Sequence, residues 1–133
     1  MRAELTMDDS RGPTMVADVL NEEIVDGIRA FGKVPGRLLQ EMAASFLKEV
    51  PRLLAGIDQA GSLCEFGDAC EMVHMLNGIS SLIGAERTAK ACEAVQRAVL
   101  REDPKGRKDA LELLNYETGQ ALSAVERLIG YPR

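Results

Sequence analysis

Apolar residues spaced three and four positions apart recur along four long stretches of the chain, and this spacing constrains the fold more than any other feature. Because an α-helix turns about 100° per residue, residues at such intervals lie on one face of a helix. Similar patterns run from about Pro35 to Ile57, from Leu63 or Cys64 to Ile83, and from Glu86 to about Arg101. Each stretch predicts an amphipathic helix with one face to bury. The pattern is most regular between about Arg107 and Ile129, at Leu111, Leu114, Thr118, Ala121, Val125 and Leu128.

A fifth, shorter helix is predicted near the N-terminus. Asn21 can cap the free amides of a first helical turn, and Glu22 and Glu23 suit the positive end of the helix dipole. Gly32 is expected to end this helix. Its predicted buried face consists of Ile24, Ile28 and Phe31.

Short connections separate the predicted helices. Gly61 and Ser62, Gly84, and the sequence Asp-Pro-Lys-Gly at 103–106 interrupt the apolar spacing, and the last of these is predicted to be a turn. Long helices joined by short loops pack as antiparallel neighbours. The sequence therefore predicts an all-α fold, an antiparallel four-helix bundle with one additional short N-terminal helix.

The length of the chain predicts a single domain. Its 133 residues suffice for a core that needs neither disulfides nor metal. Residues 1–17 are polar and include Gly12 and Pro13, so we expect a flexible tail or linker there. Residues 18–133 are expected to form the helical bundle domain.

Charge and composition argue against several classes of function. The formal net charge is −5 and basic residues are not concentrated in one long run, which disfavours nucleic acid as a partner. Apolar runs stay well below the roughly 18 residues that span a bilayer, and residues 1–15 lack the apolar core of a signal peptide. We therefore expect no membrane insertion by this segment and a cytoplasmic location. One histidine and three cysteines without a CxxC pair predict neither a metal site nor a disulfide framework.

The chain has a single histidine, His74, in the middle of the second long apolar pattern. On a helical wheel, His74 lies opposite the apolar stripe that contains Val73 and Leu76, so it should face solvent. A glycine in a helix interior costs about 1 kcal/mol relative to alanine, so Gly78 needs a reason of its own. The alternative is that this lone histidine is an ordinary surface or core residue without a functional role. Small side chains share the predicted histidine face: Gly67, Cys70, Gly78 and Ser81 lie within about 40° of His74, and Asn77 just beyond.

The string HMLNGISSLIGA at 74–85, followed by an apolar helix with a cysteine, resembles the signature of histidine-containing phosphotransfer (HPt) domains. One position departs from the family pattern, because Asn77 stands where the family usually has a lysine. The match is strong over the two central helices and rests on helix pattern alone over about 110 residues. The residues that agree in type and spacing are His74, Leu76, Gly78, Gly84, Ala85 and Cys92.

This resemblance implies a function in two-component signal transduction. His74 would accept a phosphoryl group from the aspartate of a response-regulator receiver domain, form a phosphohistidine, and pass the group to another receiver. A sensor histidine kinase would act upstream, and the chain resembles the C-terminal HPt domain of a hybrid sensor kinase. If the chain belongs to such a protein, the parent is a histidine kinase.

The sequence itself offers no machinery for autonomous kinase activity. It lacks a phosphate-binding glycine loop, a Walker lysine and a carboxylate cluster suited to Mg²⁺ and ATP. We therefore expect no cofactor in this chain and expect the receiver partner to supply Mg²⁺.

The neighbours of His74 have expected roles of their own. The small residues Gly67, Cys70, Gly78 and Ser81 would leave room for a receiver active site. The apolar side chains of Met75, Ile79 and Leu82 either pack against neighbouring helices or form a landing surface for a partner.

Asn77 can offer the phosphoryl group a hydrogen bond but no positive charge. One alternative is that another part of the chain supplies a cation, and the candidates are Arg37, Lys48, Arg52 and Arg87.

Two other functions compete with the phosphorelay hypothesis. One is a non-catalytic HPt-like adaptor that docks a receiver or another signalling partner without phosphate exchange. The other is a helical oligomerisation module in which His74 is incidental.

Overall fold

Five α-helices make up most of residues 19–62, 66–101 and 103–130, the part of the chain that the computed structural model describes. A short helix is followed by four longer ones. The predicted tail at 1–17 and the predicted start of the histidine helix at Leu63 or Cys64 lie outside the described residues. The helices are α1 (Glu22–Ala30), α2 (Arg37–Ser62), α3 (Phe66–Leu82), α4 (Glu86–Leu100) and α5 (Pro104–Leu128).

The four long helices form a closed antiparallel bundle. Each packs against the next along the chain, and α2 also packs against α5, while α1 lies on α2. The predicted fold class, an all-α four-helix bundle with a short N-terminal helix, is confirmed. Within the described ranges, none of the helices combines the length and apolar character that crossing a membrane requires.

The core follows the apolar spacing of the sequence. On α5 the predicted positions Leu114, Thr118, Ala121 and Val125 are fully enclosed, and Leu111 and Leu128 are half-buried. The largest fully buried side chains are Phe46, Leu20, Ile57, Leu76, Ile83 and Leu114.

The predicted buried face of α1 is wrong at one position. Phe31 is 66 % exposed, whereas Val25 is 3 % exposed and is the buried residue of this helix. Helix α1 ends at Ala30, and Phe31 takes extended backbone dihedral angles of −73° and 139°. Its side chain therefore leaves the helical spacing on which the prediction relied.

The turn predicted at residues 103–106 is also wrong, because α5 already begins at Pro104. Proline is well tolerated at the first helical position, where the missing N–H has no helical partner anyway. The side chain of Asp103 caps this end by accepting a hydrogen bond from the backbone N–H of Gly106 at 3.0 Å.

Helix α3 ends at a glycine turn that also anchors α1. Gly84 has φ of +83°, the backbone N–H of Gly84 donates to Ser81 O, and that of Ala85 donates to Ser80 O. This is the Schellman pattern of a helix C-terminus. Asn21 completes the junction, because its backbone N–H donates to Gly84 O at 2.9 Å and its side chain accepts from the N–H of Ile24.

We predict that Gly84→Ala lowers the free energy of unfolding by about 1–3 kcal/mol, because a left-handed backbone disfavours any side chain. The added Cβ would also lie 3.2 Å from the backbone N and O of Asn21. Urea denaturation measures the loss. Gly119→Ala is the control, since Gly119 lies in α5 with open space around it and should gain stability. An unchanged urea midpoint for Gly84→Ala would contradict this account.

Candidate functional site

His74 lies near the middle of α3 with its side chain exposed to solvent. The opposite face of α3 packs into the bundle, where Val73 and Leu76 are fully buried. The predicted orientation of the imidazole, away from the core, therefore agrees with the geometry. The other buried residues of this helix are Ala69 and Ser80.

A shallow surface depression surrounds the imidazole, lined by Cys70, Glu71, His74 and Met75. Glu71 is absent from the residues singled out by sequence. It lies three positions before His74, and therefore about 60° away on a helical wheel, which is the signal that could have found it. Its carboxylate places a negative charge at the edge of the depression. None of the four lining residues is an arginine or a lysine.

Gly67 and Gly78 are both exposed, and neither is required by packing within the described structure. A Cβ built at either position finds no atom within 4 Å. Gly56 in α2 is different, because a Cβ there would meet the sulfur of Met72 at 2.5 Å. Helix packing thus explains Gly56, whereas the fold gives no reason for the glycine at Gly78.

Asn77 and Ser81 are joined on the same side of α3. The hydroxyl of Ser81 donates a hydrogen bond to Oδ1 of Asn77 at 3.3 Å. Asn77 is half-buried and Ser81 is exposed, while Cys70 is half-buried on the neighbouring turn.

The three apolar residues beside His74, which are Met75, Ile79 and Leu82, differ in exposure. Met75 is 55 % and Leu82 is 67 % exposed, whereas Ile79 is half-buried and packs against the core. Leu82 also lines a small groove between α2 and α3. The other residues of this groove are Met42, Ser45, Phe46, Ile79 and Ile83.

Two of the four cations considered as substitutes for the usual lysine contact a carboxylate. Arg52 lies 3.6 Å from the carboxylate of Glu49, and Arg87 lies 3.1 Å from that of Glu117. Arg87 and Glu117 join α4 to α5, next to the hydrogen bond from Thr88 Oγ1 to Glu117 O.

The two described cysteines differ in environment. Cys92 is fully buried in the core, and burial, with a smaller contribution from the charge of Glu93, raises the pKa of its thiol to about 12. It therefore stays a neutral packing residue at ordinary pH. Cys70 is partly exposed beside His74. Among the described residues, no group of three or more His, Cys, Asp or Glu side chains is arranged to hold a metal ion.

A second cavity, of about 430 Å³, opens at the end of the bundle away from α1. Its lining is mostly apolar and includes Ile57, Val99 and Leu111, and the guanidinium of Arg107 lies 4.5 Å from the ring centre of Phe66 nearby. Its described lining contains neither a histidine nor a cysteine. We therefore place the candidate chemistry at the depression around His74.

Comparison with protein families identifies the class of protein that this fold and site define. The family model of the Hpt domain matches residues 41–128, about two-thirds of the chain, and the match contains the whole of α3. The chain belongs to the Hpt domain family, whose members carry out histidine phosphotransfer in two-component phosphorelays with receiver and kinase partners. Among curated proteins and solved structures, none matches the chain significantly.

Proposed function

We propose that this protein is a phosphorelay intermediate in which His74 accepts a phosphoryl group from the aspartate of one receiver domain and passes it to another. One observation carries the proposal. The single histidine of the chain is exposed on α3, within the family match, between two glycines that the fold does not require. An imidazole with glycines on either side of it along the helix can be approached closely by a second protein.

The proposed chemistry is an in-line displacement at phosphorus. A lone pair on an imidazole nitrogen forms a new P–N bond, the P–O bond to the aspartate breaks, and the carboxylate leaves with the electron pair. Transfer to the second receiver runs the same step in reverse. Such displacements need charge stabilisation on the phosphoryl oxygens, and we expect the receiver to bring Mg²⁺ for this purpose.

The apolar surface beside His74 supports docking of a receiver. Met75 and Leu82 are large apolar side chains more than half exposed, on the same helix as His74. Leu82 also lines the groove between α2 and α3, together with the buried Phe46 and the half-buried Ile79. A partner helix laid along this groove would bury Leu82 and bring the receiver active site over the imidazole.

The remaining parts of the proposal concern the setting of the domain. A sensor histidine kinase would act upstream, either as a separate protein or as the parent of which this chain is the C-terminal HPt domain. We expect the relay to operate in the cytoplasm, where receiver domains would meet this surface.

An HPt-like adaptor without phosphate exchange is the second candidate. Two observations favour it. Asn77 replaces the usual lysine, and the depression around His74 contains the acidic Glu71 but none of the described basic residues. An adaptor would keep the docking surface and lose only the transfer step, so binding and transfer must be measured separately.

We predict that a phosphorylated receiver with Mg²⁺ transfers an acid-labile phosphoryl group to the wild-type protein, and that His74→Gln abolishes the labelling. Glutamine keeps the exposed position but lacks the nucleophilic ring nitrogen. The measurement is transfer of ³²P followed by acid treatment, with receiver binding measured in parallel. Labelling that persists in His74→Gln rejects the relay, and tight binding without any labelling of the wild type supports the adaptor.

We predict that Gly78→Leu lowers the rate of transfer at least tenfold, because the added side chain blocks the approach to His74. The fold should remain intact, since leucine is a good helix former and a Cβ there meets no atom within 4 Å. Gly119→Leu is the matched control on α5, where a Cβ also finds open space, and should leave transfer unchanged. Equal transfer rates in the two variants would remove the steric argument.

We predict that Leu82→Glu weakens binding of the receiver about tenfold or more, because a charge is placed on the proposed apolar contact. Isothermal titration calorimetry measures the change. Leu113→Glu introduces the same charge at a leucine that is 45 % exposed on α5, and it should bind like the wild type. If both variants bind equally, the docking surface lies elsewhere.

A further inference from the structure

The side chains of His74, Asn77 and Ser81 follow one another along the exposed side of α3. Asn77 is three residues after His74, and Ser81 is four residues after Asn77. Side chains at these separations are neighbours on a helix surface, so Asn77 lies between the imidazole and the hydroxyl. With a rise of about 1.5 Å per residue, the Asn77 backbone is only about 4.5 Å along the axis from that of His74.

The hydrogen bond between Ser81 and Asn77 has a defined direction. Ser81 Oγ donates to Asn77 Oδ1 at 3.3 Å, so the acceptor end of the amide is directed to the serine. A primary amide carries its two N–H donors on the atom opposite that oxygen. In this arrangement both N–H donors of Asn77 are left for another partner, whereas turning the amide over would use one of them on the hydroxyl.

A phosphoryl group on His74 would be such a partner. Its terminal oxygens are strong acceptors, and hydrogen bonds to an ionised acceptor are stronger than those between neutral groups. The reversed orientation of the amide would turn Oδ1 toward these oxygens and would be repelled. The other residues of the depression, Cys70, Glu71 and Met75, bring no cation to this role.

From these contacts we infer that Ser81 is a positioning residue, which orients the amide of Asn77 so that its N–H groups bind the phosphoryl oxygens on His74. Asn77 and Ser81 together would then provide a neutral hydrogen-bond donor in a fixed orientation, where the family usually has a charged lysine. This inference rests on the proposed phosphorylation of His74. A donor that is already oriented loses less conformational entropy when it binds than a mobile one does.

The experiment uses phosphoramidate as a small phosphoryl donor, so it needs no receiver. The P–N bond to ammonia breaks, a P–N bond to the His74 imidazole forms, and ammonia leaves. The pH titration of the phosphohistidine is then followed by ³¹P NMR. Hydrogen bonds to the dianion favour the charged form and lower the pKa of the phosphoryl group, so their loss raises it.

We predict that Asn77→Ala raises the pKa of the phosphoryl group by about half a unit and that Ser81→Ala raises it by a smaller amount. Ser81→Thr should restore the wild-type value, because it keeps the hydroxyl. In the Asn77→Ala background, Ser81→Ala should have no further effect, because Ser81 acts only through the amide. Ser123→Ala is the control, an exposed serine on α5 that should leave the titration unchanged.

Additive effects of Asn77→Ala and Ser81→Ala would overturn the inference, as would a wild-type titration in Ser81→Ala. These outcomes are separate from failure of the relay. If receivers transfer no phosphate but the chemically phosphorylated protein shows the coupling, the proposed function fails and the positioning role of Ser81 stands. If transfer from receivers succeeds and the coupling is absent, the proposed function stands and the positioning role of Ser81 fails.

Discussion

Burial of one face of α3 is the constraint on which the rest of the structure depends. Val73 and Leu76 are fully enclosed by the neighbouring helices, and Ala69 and Ser80 extend the same face along the helix. Burying a side chain such as leucine stabilises a protein by roughly 1.5–3 kcal/mol, so rotating α3 about its axis would be strongly unfavourable. Because the helix is rigid, this burial also holds His74 on the outside of the bundle.

The position of α3 along its axis is held at its C-terminal end. Gly84 reverses the chain in a left-handed conformation. The backbone N–H of Asn21 donates to Gly84 O in this turn, and the side-chain amide of Asn21 donates to Glu86, the first residue of α4, at 2.9 Å. The same residue caps α1. A single asparagine thus connects the short N-terminal helix, the end of the histidine helix and the start of α4.

The glycines of the bundle divide by what they accommodate. Gly56 lets the side chain of Met72 lie against α2, and Gly84 adopts a backbone conformation that other residues disfavour. Gly78 meets neither need, although it lies within a helix and next to the candidate site. A position that lowers helix stability without serving the fold is typical of a functional surface, where proteins give up stability for activity. In this protein, the open space beside His74 is available to a partner rather than to the core.

The sequence by itself determined the helices, the bundle and the outward direction of His74, because all three follow from the local spacing of apolar residues. It also indicated the family, since the motif around His74 is contiguous. Predictions from local spacing failed where a helix ended or where a residue capped a helix. Phe31 left the helical spacing after Ala30, and Pro104 became the first residue of a helix because Asp103 capped it.

Only the tertiary structure decided which exposed side chains meet one another. A helical wheel gives the direction of a side chain but not what the neighbouring helix covers, so it could not separate the packed Ile79 from the exposed Met75 and Leu82. Nor could it assign Arg87 to Glu117, because that pair joins two different helices, α4 and α5. These contacts depend on how helices are placed in space, and that placement is set by the whole core rather than by any one segment.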